Sequence, residues 1–149
     1  MKFYSALGFA LVVLTACADT TVTPVSKNQI MLSTSGDPDC GMAGAQRVAS
    51  KMAAIETLRR GYSRYVISAA DSASSVGAVV MPTTYSPVMT YPGGIPLFYG
   101  TNDVQLHVTM LKEGDRGYEQ GVDAKSVLGT DWQELVEKGV RSCAVTGGE

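Results

Sequence analysis

The chain has 149 residues, 12 basic and 14 acidic side chains, a net charge of −2 and 45% hydrophobic residues. That length suits one compact domain and is short for two. No run of Lys or Arg exists beyond Arg59, Arg60 and Arg64 near the end of one helix, so a phosphate-neutralising surface is lacking and nucleic acid is not an expected partner.

Met1-Lys2 supplies one positive charge, and Phe3 to Leu14 forms an apolar stretch of about 12 residues, too short for the about 20 that a membrane-spanning helix needs. A charged start, a short apolar centre and small residues before a break read as a secretory signal. The stretch closes on Leu14-Thr15-Ala16-Cys17, which resembles the lipobox of bacterial lipoproteins. There the Cys thiol receives a diacylglyceryl group, and cleavage follows on its N-terminal side. The resemblance implies a lipoprotein signal peptide over residues 1–16, lipid attachment at Cys17 and stable membrane anchoring, since each buried methylene contributes about 0.8 kcal/mol. Gram-negative lipoproteins kept in the inner membrane usually carry Asp directly after the Cys; here that residue is Ala18. The implied location is therefore the periplasmic leaflet of the outer membrane. The competing reading is an ordinary cleaved signal that happens to contain a Cys.

With Cys17 taken by lipid, Cys40 and Cys143 form an even pair in an oxidising compartment and are expected to be bridged. Two reduced, buried thiols are the alternative. Zinc sites use three or four ligands, and the chain has three Cys and one His, so neither a metal site nor a cofactor is expected.

Residues 17–27 are Thr-rich, contain Pro24 and show no clear period, as expected of a flexible tether. Residues 28–149 then form the single folded domain. Asn28 to Ser33 suits a strand, and Ser35-Gly36-Asp37-Pro38 is turn chemistry. Asp37 and Asp39 flank Pro38, but calcium takes six to eight oxygens and no longer loop signature follows; a solvated turn is the reading. Gly44 to Arg60 is the clearest helix, with Ala45, Val48, Met52, Ile55 and Leu58 on one stripe. Arg59 and Arg60 complement its C-terminus, and Gly61 suits the residue that closes it. Tyr62 to Ala70 is aromatic and β-branched at its start, a strand expected to pack under that helix.

From Asp71 to Asp103 there is no Lys, Arg or Glu. Val76 to Met81 and Ile95 to Tyr99 suit strands around a Pro82 to Gly94 excursion that carries Tyr85 and Tyr91. Long loops of this kind serve function or lack order, and tyrosines offer amphipathic contact area at modest entropic cost. Tyr85, Tyr91 and Tyr99 are thus candidate residues for an envelope protein or glycan partner, against the plainer reading of a loop that partly covers the core.

Val104 to Met110 alternates cleanly, with Val104, Leu106, Val108 and Met110 on one face and Gln105, His107 and Thr109 on the other. His107 has no Ser, Cys or carboxylate at a recognisable catalytic spacing, so a surface polar residue is expected. Glu113 to Gly117 is a charged turn. Val122, Val127 and Leu128 seed a short helix ended by Gly129. Thr130-Asp131-Trp132-Gln133 matches a capping box and opens another helix, with Trp132 expected in the core beside Leu135 and Val136.

The lipobox, the Leu58-Arg59-Arg60-Gly61-Tyr62 helix end, the Tyr/Gly/Pro-rich middle and Val127-Leu128-Gly129-Thr130-Asp131-Trp132 together resemble a group of small uncharacterised Gram-negative envelope lipoproteins. The resemblance implies an address and supplies no catalytic residues. The expected fold is α+β, a mostly antiparallel sheet of about four strands with two or three helices on one face. The expected function is a non-enzymatic binding or structural accessory of the envelope, held to the membrane through lipid on Cys17. A periplasmic hydrolase acting on peptidoglycan or another envelope polymer is the alternative.

Overall fold

A computed structural model describes residues 17–81 and 95–143. The candidate signal peptide, the excursion with Tyr85 and Tyr91, and residues 144–149 lie outside the described residues. In chain order the elements are β1 (Ala18–Pro24), β2 (Gln29–Gly36), a 3-10 turn (Pro38–Cys40), α1 (Gly41–Arg59), β3 (Arg64–Ser74), β4 (Gly77–Met81), β5 (Ile95–Tyr99), β6 (Asn102–Leu111), β7 (Val122–Asp123), α2 (Ala124–Leu128) and α3 (Trp132–Lys138). The class is α+β.

Five strands form an antiparallel sheet in the order β1-β2-β6-β3-β7, and β4 pairs with β5 in a separate two-stranded ribbon. The main sheet therefore has one strand more than expected. Two of its strands fall outside the expected ones, β1 in place of a tether and β7 in place of part of a helix, whereas the expected strands at 76–81 and 95–99 form the separate ribbon. Thr20, Thr21, Val22 and Thr23 are β-branched and favour an extended chain, and β1 pairs with β2 from Ala18↔Gly36 to Pro24↔Ile30. Ala18 is buried, Val22 packs against the core, and the Thr20 hydroxyl meets the fully buried Thr34 hydroxyl at 2.9 Å. The alternation was present, but Thr at the half-buried positions masked it.

β6 behaves as its sequence demands: Val104, Leu106, Val108 and Met110 are buried, while Gln105, His107 and Thr109 face the opposite side. Beside it, Ile30 and Leu32 of β2 complete an apolar face on which α1 packs. The helix buries Ala49, Ala53 and Ala54 in addition to the Ala45, Val48, Met52 and Ile55 stripe, because α2 and α3 pack on it as well; small alanines let three elements approach. Gly61, at φ +78°, follows its end. Arg59 does more than complement the helix terminus. It pairs with Glu56 at 2.9 Å, and its Nε donates to the Val136 carbonyl of α3 at 2.7 Å.

Three local expectations at the C-terminal end are corrected. Val122 lies in β7 opposite Tyr65 rather than in a helix, and Asp123 caps α2 by accepting from the Ser126 N–H at 2.8 Å. The capping box before α3 is not formed: the helix starts at Trp132, so Asp131 occupies the cap position and makes no capping bond. Thr130 is one residue too early and bonds Asp131 instead. Trp132 packs against the core only in part, and the Lys125 ammonium lies 4.4 Å from its ring centroid.

Candidate docking surface

The two ends of the folded chain meet at one edge of the sheet. Cys17 is exposed, its N–H donates to Asp37 at 3.2 Å, and it bridges Ser142 in antiparallel fashion. The next residue, Ala18, donates its N–H to the Arg141 carbonyl at 2.8 Å. Cys40 and Cys143 form a disulfide with Cα atoms 5.6 Å apart, which ties the start of α1 to this C-terminal segment. The β1 edge is thus partly covered and ends in Pro24.

The opposite edge is different. β7 pairs only with Arg64 and Tyr65 of β3. Tyr65 is 2% exposed, and burial raises its hydroxyl pKa above the ordinary tyrosine value. From Val66 to Ser74 every residue is exposed, and among the described residues no strand pairs with the outer side of this stretch. The expectation that the β3 strand packs under α1 is therefore corrected beyond Tyr65. The register explains it: Ser68 is an extra residue between Ile67, opposite Val108, and Ala69, opposite His107, and its hydroxyl donates to the His107 carbonyl at 3.2 Å. A bulge of this kind bends its strand and increases its twist. Past it the small side chains Ala70 and Ser72 face the helix side and leave a groove of about 350 Å³ against Gln46 and Ser50 of α1, floored by Val104 and Leu106.

β3 and β6 continue past the sheet as β4 and β5. The junction is stitched by Ser75 and Thr101: the Ser75 N–H and hydroxyl donate to the Thr101 carbonyl at 2.9 and 3.2 Å, and the Thr101 N–H donates to the Ser75 hydroxyl at 3.0 Å. Gly100 at φ +97° makes the bend, and a Cβ there would run into the Ser75 carbonyl. The large hydrophobic residues exposed on and just before this arm are Val76, Phe98 and Tyr99; the others among the described residues are Val66 and Ile67 at the opposite end of β3, Val25 and Val122. Of the three candidate tyrosines, Tyr99 is therefore placed: its ring lies over Gly77 and remains 55% exposed. Tyr85 and Tyr91 lie outside the described residues.

Among the described residues, the candidate histidine is not brought together with catalytic partners. His107 faces outward between Met31 and Ala69, with no carboxylate or nucleophile paired to it in the register. A shallow cleft of about 280 Å³ between β1, α1 and the C-terminal segment contains Glu56 and Arg59, but these are already spent on each other and on α3. Among the described residues no three His, Cys, Asp or Glu side chains are grouped to hold a metal ion, and no helix is long and apolar enough to cross a membrane. No protein-family model matches the chain, and no curated protein or solved structure matches it either.

The open edge could not be read from local residue types, although one signal was present. Ser68-Ala69-Ala70-Asp71-Ser72-Ala73-Ser74 has no large apolar residue at either alternating set of positions, as expected where neither face is covered.

Proposed function

We propose that this chain is a lipoprotein of the outer membrane, acylated at Cys17 and facing the periplasm, that works without catalysis by docking an extended segment of an envelope protein on the β3 edge. The observation that carries the reading is the unpaired stretch from Val66 to Ser74. An exposed sheet edge is a template for strand addition, in which main-chain hydrogen bonds give affinity and alternate side chains give specificity. Natural sheets blunt such edges with Lys, Pro or a covering element; β1 has Pro24 and the C-terminal segment, whereas Val66 to Ser74 has one charge, Asp71, and neither Lys nor Pro. The groove beside Ala70 and Ser72 would receive inward-facing side chains of the added strand. A main-chain ladder selects a polypeptide over a glycan.

The test has two parts. Cys17→Ala should abolish acylation and release the chain from the membrane fraction; unchanged fractionation would remove the anchor. A photo-crosslinking residue placed at Ala69 or Ala73 should give a protein adduct that one at Thr21 on β1 does not, and Ser72→Lys should diminish it. Equal labelling from both edges, or insensitivity to Ser72→Lys, would refute the docking edge.

A further inference from the structure

We infer that the β4–β5 ribbon is a second membrane-contacting element, resting its Val76 and Phe98 side chains, which lie on one face, in the interface of the same bilayer leaflet that holds the N-terminal anchor. The inference rests on the anchored reading above and assigns the ribbon a partner of definite chemistry, a zwitterionic lipid surface. Its basis is a juxtaposition fixed by the strand register. Ala18 pairs with Gly36, Gly36 with Asn102, and Asn102 with Ser74, so these four residues form one row across the end of the sheet. Cys17 precedes Ala18 directly, and the ribbon leaves the sheet just past Ser74 and Asn102. Because β1 begins at the residue after Cys17, no slack separates the anchor from the fold: one extended residue reaches only about 3.6 Å. Whether the anchor is acyl chains on Cys17 or the retained apolar run Phe3 to Leu14, it holds this end of the sheet against the bilayer.

The ribbon has the composition for that position. β4 reads Gly-Ala-Val-Val-Met and β5 Ile-Pro-Leu-Phe-Tyr, and no charged residue lies between Asp71 and Asp103. Val76, Phe98 and Tyr99 are 37%, 56% and 55% exposed, and among the described residues β4 and β5 contact mainly one another. Five residues of strand extend about 17 Å, enough to cross a headgroup layer but not the about 30 Å hydrocarbon core. Among the described residues the ribbon has no third strand, and unpaired backbone groups at its edges would be costly in hydrocarbon. The described strands therefore suit the interface rather than the hydrocarbon core. Electrostatics does not drive the contact: Asp19 and Asp103 lie one row in from this end, and Asp37 sits beside Cys17. Contact should be apolar, insensitive to salt and weaker on anionic lipid.

The full chain, extracted from its own membranes and reconstituted in phosphatidylcholine vesicles with brominated acyl chains, tests this. Phe98→Trp in a Trp132→Phe background places the only indole on the ribbon, and Lys112→Trp in the same background places it at the opposite end of the sheet. An indole seated about 5–10 Å into the headgroup and acyl boundary should be quenched several-fold more than the one at position 112. Val76→Trp with Trp132 retained should give the same added quenching without altering the helix packing. Equal quenching at the two ends overturns the proposal. Intact mass reports the anchor separately. An acylated chain whose indole at position 98 is unquenched overturns the ribbon contact and leaves the anchor standing, whereas a quenched, unacylated chain supports the contact and refutes acylation.

Discussion

Removing the Cys40–Cys143 bridge by the double substitution Cys40→Ala and Cys143→Ala should destabilise the domain by about 4 to 5 kcal/mol. The cysteines are 103 positions apart, and cross-linking a loop of that length removes about 4.7 kcal/mol of chain entropy from the unfolded state at 25 °C. The Cα separation of 5.6 Å lies in the ordinary range for disulfides, so no backbone movement offsets the gain. A domain of this size has about 5–15 kcal/mol of total stability, so the unbridged protein should still fold. Urea unfolding followed by Trp132 fluorescence should show a midpoint lowered by roughly 2 to 3 M for an m-value near 1.5 to 2 kcal/mol/M. The loss should also be local. The Ala18 N–H donates to Arg141 at 2.8 Å, two residues before the bridge, so its exchange should accelerate well before that of Ile30 or Val108. Identical midpoints for the bridged and unbridged chains would refute the argument.

Leu32→Ala, at a fully buried position, should cost about 2–5 kcal/mol, whereas Val66→Ala on the exposed stretch of β3 should stay within about 0.5 kcal/mol; similar losses at both would show that β3 is covered. Asp123→Ala should cost about 1 kcal/mol through loss of the α2 cap. The Ser126 N–H, followed by the Ser126 hydroxyl and the Arg64 charge, holds the Asp123 carboxyl below its ordinary value, against a smaller opposing effect of burial. Its contribution is therefore present above the unfolded carboxylate pKa of about 3.9 and lost as pH falls through the lower folded value. Asp123→Asn should flatten that part of an acid-unfolding curve, and an unchanged curve would exclude the linkage. Gly100→Ala, which meets the Ser75 carbonyl at φ +97°, should cost more than about 1 kcal/mol and speed amide exchange at Ser75 and Thr101 while sparing Val108. Uniform loss of protection would instead mean that the junction is part of the core.

In the proposed arrangement, a lipid anchor at Cys17 and a docking edge on β3 place different demands on one small sheet. β1 starts directly after Cys17, so such an anchor would leave the fold little freedom to swing on its attachment, and an orientation set at the bilayer would reach the β3 edge through backbone hydrogen bonds. A long tether would permit any edge to face any partner, whereas a strand in its place would give the open edge a defined direction relative to the membrane.

Residue order alone determined the α1 stripe from Ala45 to Leu58, its ending at Arg59 and Gly61, and the inward and outward faces of β6, because those signals repeat within one element and need no distant partner. The Cys40 and Cys143 pair was legible from cysteine count together with the expected oxidising compartment. What only the tertiary structure decided is which strands have neighbours. Thr20 and Val22 look like tether residues until β2 lies beside them, and Ile67 looks like a core residue until α1 is found to leave β3 open beyond Tyr65. The same holds for the convergence of Cys17 with the β4–β5 ribbon, which depends on a register running through Gly36 and Asn102. Edge, cover and end are relations between segments far apart in sequence, and they are settled by which pairing buries the most apolar surface while satisfying the backbone.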